Sequence, residues 1–189
     1  MIKVFENLLS AELADEIENE LLGGSHEWYL MGNVTYDDVP GVDDVQAGFN
    51  HSHIQYSQVT SKRVFRYLTI PYTVIAKLDI SVSNITHGRA WLHYPSLKPG
   101  TFNSMHNDQT EPHISIIYYV NDSDGDTIFF DKEDRETIIH RQTPKKNTAV
   151  IFSGDIPHCS STPSKWRSVF NFVIEPVDWQ KEVQKLVAL

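Results

Sequence analysis

A chain of 189 residues is long enough for one domain with a core of its own and short for two. Hydrophobic residues at 40% and aromatics at 11% suit a globular protein, and no run approaches the roughly 18 consecutive apolar residues of a membrane span. The formal charge of -9, with basic clusters only at Lys62-Arg63 and Lys145-Lys146, argues against a phosphate backbone as the default partner.

From the N-terminus, Met1 to Glu6 lacks the apolar run and small-residue cleavage site of a secretory signal, so the expectation is a cytoplasmic protein. A helix is predicted from a Ser10 cap to Gly23-Gly24, with Leu9, Leu13, Ile17 and Leu21 on one face. Residues 31–60 are rich in Gly, Asp, Asn and His and read as a mobile acidic loop near a substrate mouth. Its pairs Asp37-Asp38 and Asp43-Asp44 do not match a calcium-loop spacing, and His51 and His53 share a face but are assigned no chemistry. A second helix is predicted from Thr69, with Pro71 in its first turn, to about Ile80.

Beyond Ser83 the pattern turns to strands: Ala90–Tyr94, Ile114–Val120, Thr127–Phe130, Thr137–Arg141, Ala149–Phe152 and Ser168–Ile174. Helices first and strands afterwards predict an α+β fold with N-terminal helices packed on one sheet. The whole chain, 1–189, is expected to be one domain: helical support and substrate loop over 1–83, a β core over 84–176, and a C-terminal helix over 177–189.

The chemistry concentrates in this second half. His106 and Asp108 form a His-x-Asp pair whose side chains share a face on extended backbone. The best third partner is His158, which follows the apolar strand Ala149–Phe152 and a turn. Two imidazoles and one carboxylate on one face of a metal leave three adjacent positions open, as non-haem Fe(II) oxygenases require, although the same donors also suit zinc. The neighbouring Cys159 reads as a small buried filler, and as the lone cysteine it leaves no internal disulfide, in keeping with a reducing compartment. Arg167 opens the last strand, where alternation puts it on one face with Val169, Asn171 and Val173. A buried arginine needs an anionic partner, and a dicarboxylate such as 2-oxoglutarate supplies one. Tyr94, Tyr118 and Asn171 are candidate further contacts to that acid. His113 reads as a strand residue near the mouth, and Arg89, Trp91 and Trp166 either shape the entrance or pack.

From about Tyr94 to Ile174 the chain resembles the catalytic core of the prolyl 4-hydroxylase-like 2-oxoglutarate/Fe(II) dioxygenases. The resemblance runs through Tyr94, Gly100 and His106-Asn107-Asp108, then Ile116 to Asp122. It continues through Asp124-Gly125-Asp126-Thr127, Thr143-Pro144 to Phe152, His158 and Arg167. Asp124, Asp126 and Asn147 depart from the family's usual Gly, Glu and Gly, and Arg167 stands where many members carry Lys. The resemblance implies a double-stranded β-helix (jelly-roll) core. It implies Fe(II) on His106, Asp108 and His158, and 2-oxoglutarate held by Arg167 with Tyr94, Tyr118 or Asn171. It further implies an ascorbate-supported reaction with O2 that releases succinate and CO2 and hydroxylates a prolyl peptide, an amino acid or another small substrate. A carboxylate at Asp108 favours hydroxylation over halogenation. The alternatives are a nucleic-acid demethylase of the same chemistry, a non-enzymatic cupin-like binding barrel and a zinc hydrolase. The first is disfavoured because Ser168 to Ile174 lacks the extra arginine of that class. Oligomeric state has no sequence signal.

Overall fold

The computed structural model describes residues 1–32 and 47–187. Asp37-Asp38 and Asp43-Asp44, the heart of the expected acidic loop, lie outside the described residues.

Among the described residues the chain forms four helices. Helix α1 (Ala11–Leu22) starts at Ser10, whose hydroxyl accepts from the Leu13 amide at 3.3 Å, and buries Ala14, Ile17 and Leu21. A short α2 (Val64–Tyr67) leads into α3 (Thr69–Leu78), where Pro71 sits in the first turn and gives up no helical bond. Helix α3 stops at Asp79, which takes the left-handed conformation at φ 51°. The last helix, α4 (Trp179–Gln184), is capped by Asp178. Among the described residues no helix is long and apolar enough to cross a membrane.

The strands are β1 (Ile2–Phe5), β2 (Tyr29–Met31), β3 (Gly48–Gln55), β4 (Gln58–Val59), β5 (Val82–His93) and β6 (Ile114–Tyr119). They continue with β7 (Thr127–Phe130), β8 (Ile138–Gln142), β9 (Thr148–Ser153), β10 (His158–Ser160) and β11 (Arg167–Pro176). The main eight-stranded sheet runs β1-β9-β6-β11-β5-β3-β2, with β4 on β3, and a three-stranded sheet runs β10-β7-β8. Every strand pair is antiparallel.

The period-two alternation of β6 divides the core. Ile114, Ile116 and Tyr118 face the helices with Ile17, Ile70, Val74 and Phe172. Ile117 and Tyr119 face the smaller sheet with Phe129, Phe152 and Val169. The helices therefore pack on one face of one sheet, as the α+β reading expects, and the opposite face of that sheet meets the second sheet.

The structure differs from the expectation in the first half. Part of the predicted loop is the eight-residue strand β3, which pairs with β5 from Phe49 to Ile54. Its sequence, Gly-Phe-Asn-His-Ser-His-Ile-Gln, lacks the β-branched run that marks a strand, because its buried face is built from polar side chains. Strand β1 pairs with β9, so the main sheet draws on residues from both sides of Ser83.

Candidate active site

His106 and His158 oppose each other across an isolated antiparallel bridge, with both backbone hydrogen bonds at 2.9 Å. That pairing sends both imidazoles to the same side, with ring centroids 4.6 Å apart. Asp108 follows in the same extended segment and comes within 3.9 Å of His158 Nε2. Ligating atoms of His106, Asp108 and His158 all lie within 4.8 Å of one another. The Nδ1 atoms point away: His106 Nδ1 lies 3.1 Å from Ser104 O, and His158 Nδ1 3.4 Å from Ile156 O. An Nδ1–H donated to a carbonyl leaves the Nε2 lone pair for a metal.

The carboxylate is oriented from behind. Ser115 Oγ donates to Asp108 Oδ2, and Asn171 Nδ2 lies 3.2 Å from each carboxylate oxygen. Burial works against ionisation of Asp108, but His158, His106 and the Ser115 hydrogen bond outweigh it and hold the carboxyl well below its ordinary range. Burial lowers His158 to about 4 despite the opposing pull of Asp108, so its ring is neutral at pH 7 and free to coordinate.

Across the same cavity, of about 260 Å³, stands Arg167. Its side chain is buried at 3% exposure; Nε donates to Gly125 O at 2.8 Å and Nη2 to Thr127 Oγ1 at 3.1 Å. Tyr119 lies beneath the guanidinium, 5.9 Å from ring centroid to Cζ. Among the described residues no carboxylate forms an ion pair with Arg167. Burial lowers its pKa, yet a guanidinium stays charged, so a permanent cation faces the cavity with no carboxylate among the described residues at ion-pair distance. Thr127 Oγ1 accepts from both Arg167 and Tyr119 Oη, the latter at 2.7 Å, which leaves its hydroxyl proton to donate into the cavity. Gly125 has no room for a side chain: a Cβ there would meet Ser161 O at 2.9 Å and Arg167 Cδ at 3.0 Å.

Five of the sequence-selected residues thus meet in one cavity: His106, Asp108, His158, Arg167 and Asn171. Tyr118 does not. Alternation on β6 turns it into the helical core, where its hydroxyl donates to Asn147 Oδ1 at 3.3 Å, so it does not reach this cavity. Tyr94, just past the end of β5, is not among the lining residues. His113 is buried and turned away, with Nδ1 2.7 Å from Glu111 O, while Arg89, Trp91 and Cys159 do line the wall.

Sequence reasoning missed Ser115, Tyr119, Thr127 and His93. The first two were legible from alternation with Ile117, which places them on the cavity face. His93 is the register partner of Arg167, and burial followed by that cation lowers its pKa to about 3. It presents a neutral imidazole to the site, and nothing in its own strand marks it for that role.

No protein-family model matches the chain, and no curated protein matches it by sequence. Solved structures do match. A Trichoplax adhaerens prolyl hydroxylase in complex with a hypoxia inducible factor oxygen degradation domain peptide fragment aligns with a TM-score of 0.67 at 12% identity, covering 100% of this chain and 87% of that one. A Burkholderia pseudomallei oxidoreductase of the 2OG-Fe(II) oxygenase family gives 0.65 at 11%, covering 92% and 84%. A Pseudomonas putida prolyl-4-hydroxylase gives 0.61 at 16%, covering 92% and 91%. These alignments, over nearly the whole described chain, show that it has the fold of the prolyl 4-hydroxylase-like 2-oxoglutarate/Fe(II) oxygenases.

Proposed function

We propose that the chain is a single-domain Fe(II)- and 2-oxoglutarate-dependent dioxygenase, its two facing sheets forming a double-stranded β-helix. It hydroxylates a prolyl peptide, an amino acid or another small substrate and releases succinate and CO2. The observation that carries the reading is Arg167. A buried cation that forms no ion pair among the described residues, in the same cavity as two imidazoles and a carboxylate, calls for an anionic organic ligand beside a metal.

The donor set fits Fe(II). Two imidazoles and one carboxylate, with Nδ1 atoms turned to carbonyls, would hold the ion and leave adjacent positions open. When bound, the metal and 2-oxoglutarate together supply the oxidising chemistry. The chain supplies the rest. Arg167 and Thr127 anchor the distal carboxylate of the co-substrate, with Tyr119 and Gly125 holding the guanidinium in place. Ser115 and Asn171 fix the Asp108 carboxylate. Ile117, Trp91 and Val169 close the wall against water. Hydrolysis by zinc gives no reason for the Arg167 anchor.

The test is 2-oxoglutarate turnover with Fe(II), ascorbate and a panel of peptides and amino acids, read as succinate and as gain of one oxygen atom on substrate. Turnover should depend on both iron and 2-oxoglutarate, and Asp108→Ala should lower iron affinity and abolish substrate-stimulated succinate release. Full turnover by Asp108→Ala would refute the assignment.

A further inference from the structure

The helical face of the main sheet carries a second cluster of histidines. His51 and His53 project from one side of β3, and His26 comes from the segment between α1 and β2. The β3–β5 register is irregular between Ser52 and Ile54, which leaves His53 without a partner residue on β5. Such a bulge re-aims a side chain. The rings of His51 and His53 lie 4.1 Å apart, and His26 is 4.9 Å from the first and 5.5 Å from the second. One ring nitrogen from each lies within 4.8 Å of the others. His53 contacts Tyr67 and Phe170, which belong to the helical side of the sheet, so the cluster is separated by the sheet itself from His106, Asp108 and His158.

The polar atoms have unmet demands. His26, His51 and His53 are 6%, 5% and 0% exposed. His26 Nε2 and both ring nitrogens of His53 lack a hydrogen-bond partner among the described residues. Buried polar atoms are otherwise nearly always paired. The tautomers that are fixed point the same way. His51 Nδ1 lies 2.8 Å from Glu27 O, so it carries the proton and leaves Nε2 with the lone pair. His26 Nδ1 faces Tyr67 Oη at 3.5 Å, and the Glu20 carboxylate, which pairs with Arg63 at 2.9 Å, acts electrostatically on that hydroxyl. A carboxylate or carbonyl behind a ring is the usual outer support of a metal-binding histidine. Burial lowers His26 to about 4 and His53 to about 3, keeping both rings uncharged at neutral pH.

We propose that His26, His51 and His53 form a second metal site, a three-imidazole site for Zn2+, independent of the iron site. Neutral nitrogen donors without a carboxylate favour Zn2+ over Fe(II) in the general affinity order of divalent ions, and three imidazoles leave one position open in a tetrahedron. The ion ties β3 and the segment before β2 to α2 through Tyr67. Stacked packing of uncharged rings is the rival account, and it binds no metal.

The test uses the full chain carrying His106→Ala and Asp108→Ala, stripped with chelator, reloaded with Zn2+ and assayed for bound metal, with Co2+ as the spectroscopic probe. One equivalent of Zn2+ should be retained and raise Tm, and Co2+ should show the visible bands of four-coordinate nitrogen ligation. Adding His26→Gln should weaken Zn2+ at least ~100-fold, beyond the roughly 10–100-fold expected from losing an outer-shell partner, and remove the bands while circular dichroism is unchanged. His26 lies outside helix and strand, so its replacement removes no ladder hydrogen bond of β3. If the double variant fails to fold, otherwise unsubstituted protein should retain one equivalent more Zn2+ than His26→Gln. No retained metal in the folded double variant, or retention untouched by His26→Gln, overturns the proposal.

Discussion

Arg167 and Asn171 share one face of β11 but do different work, and each role predicts its own failure. Arg167 presents a cation across the cavity, with two of its donors committed to Gly125 and Thr127. Arg167→Met keeps most of the packing and removes the charge. A hydrogen-bonded charge contributes about 1.5–3 kcal/mol, so half-saturation by 2-oxoglutarate should rise roughly 10- to 150-fold with iron affinity unchanged. Kinetics at saturating Fe(II) check this; an unchanged co-substrate response would place the anion elsewhere. Asn171 was expected from sequence to touch the co-substrate, yet its amide nitrogen lies 3.2 Å from both oxygens of Asp108. Asn171→Leu should therefore weaken Fe(II) by about 10- to 100-fold, read by anaerobic metal titration. A shift in 2-oxoglutarate response alone would restore the sequence reading.

At the scale of elements, the turn before β9 shows both what sequence discloses and what it withholds. Asn147 stands where the resembled family carries Gly, and it takes the left-handed conformation, φ 58°, that Asn tolerates better than most residues. What the sequence did not disclose is that its side chain clamps the N-terminal segment. Leu9 N donates to Oδ1 and Nδ2 donates to Leu9 O, both at 2.9 Å. Asn147→Gly keeps the turn but strands two buried backbone groups, for an expected loss of about 2 kcal/mol or more. Asn147→Ala adds left-handed strain of ~1–2 kcal/mol, so urea denaturation should rank the variants in that order. Equal stability of Asn147→Gly and the parent would mean that water replaces the clamp. The same contrast holds more widely. β6, β7 and β9 were legible because each is a short run of buried apolar residues between turn signals. β3 was not, because its inward positions include Asn50, His51 and His53, whose burial depends on partners far away in the chain. Tyr118 failed for a related reason: its type suits a binding role, but the pleat fixes which face it reaches. The segment of His106 and Asp108 belongs to no strand ladder, its β pairing being the bridges Phe102–Ser161 and His106–His158, and the convergence with His158 depends on a pairing that no local pattern encodes.

For the whole molecule, a common feature of both faces of the main sheet is the number of buried imidazoles. Burial is the largest cause lowering each of them: His53 and His93 to about 3, and His26, His87 and His158 to about 4. An unfolded histidine takes up its proton near pH ~6.5. In metal-free folded protein these rings stay neutral until well below that. Between about pH 6.5 and pH 4 the unfolded chain therefore binds protons that the folded chain refuses, and each ring removes up to about 1.4 kcal/mol of stability per pH unit. Asp108 has the opposite starting point, a depressed carboxyl whose contribution is complete above its unfolded pKa and is lost only at still lower pH. The urea midpoint of chelator-treated protein should accordingly fall from about pH 6.5 downward, well before carboxylates titrate, and saturating Zn2+ and Fe(II) should blunt the fall by occupying the lone pairs that protons compete for. A midpoint that stays level from about pH 7 to pH 5 would mean that these rings are hydrated or already charged in the folded state, and that the interior on either side of the sheet is wetter than its packing implies.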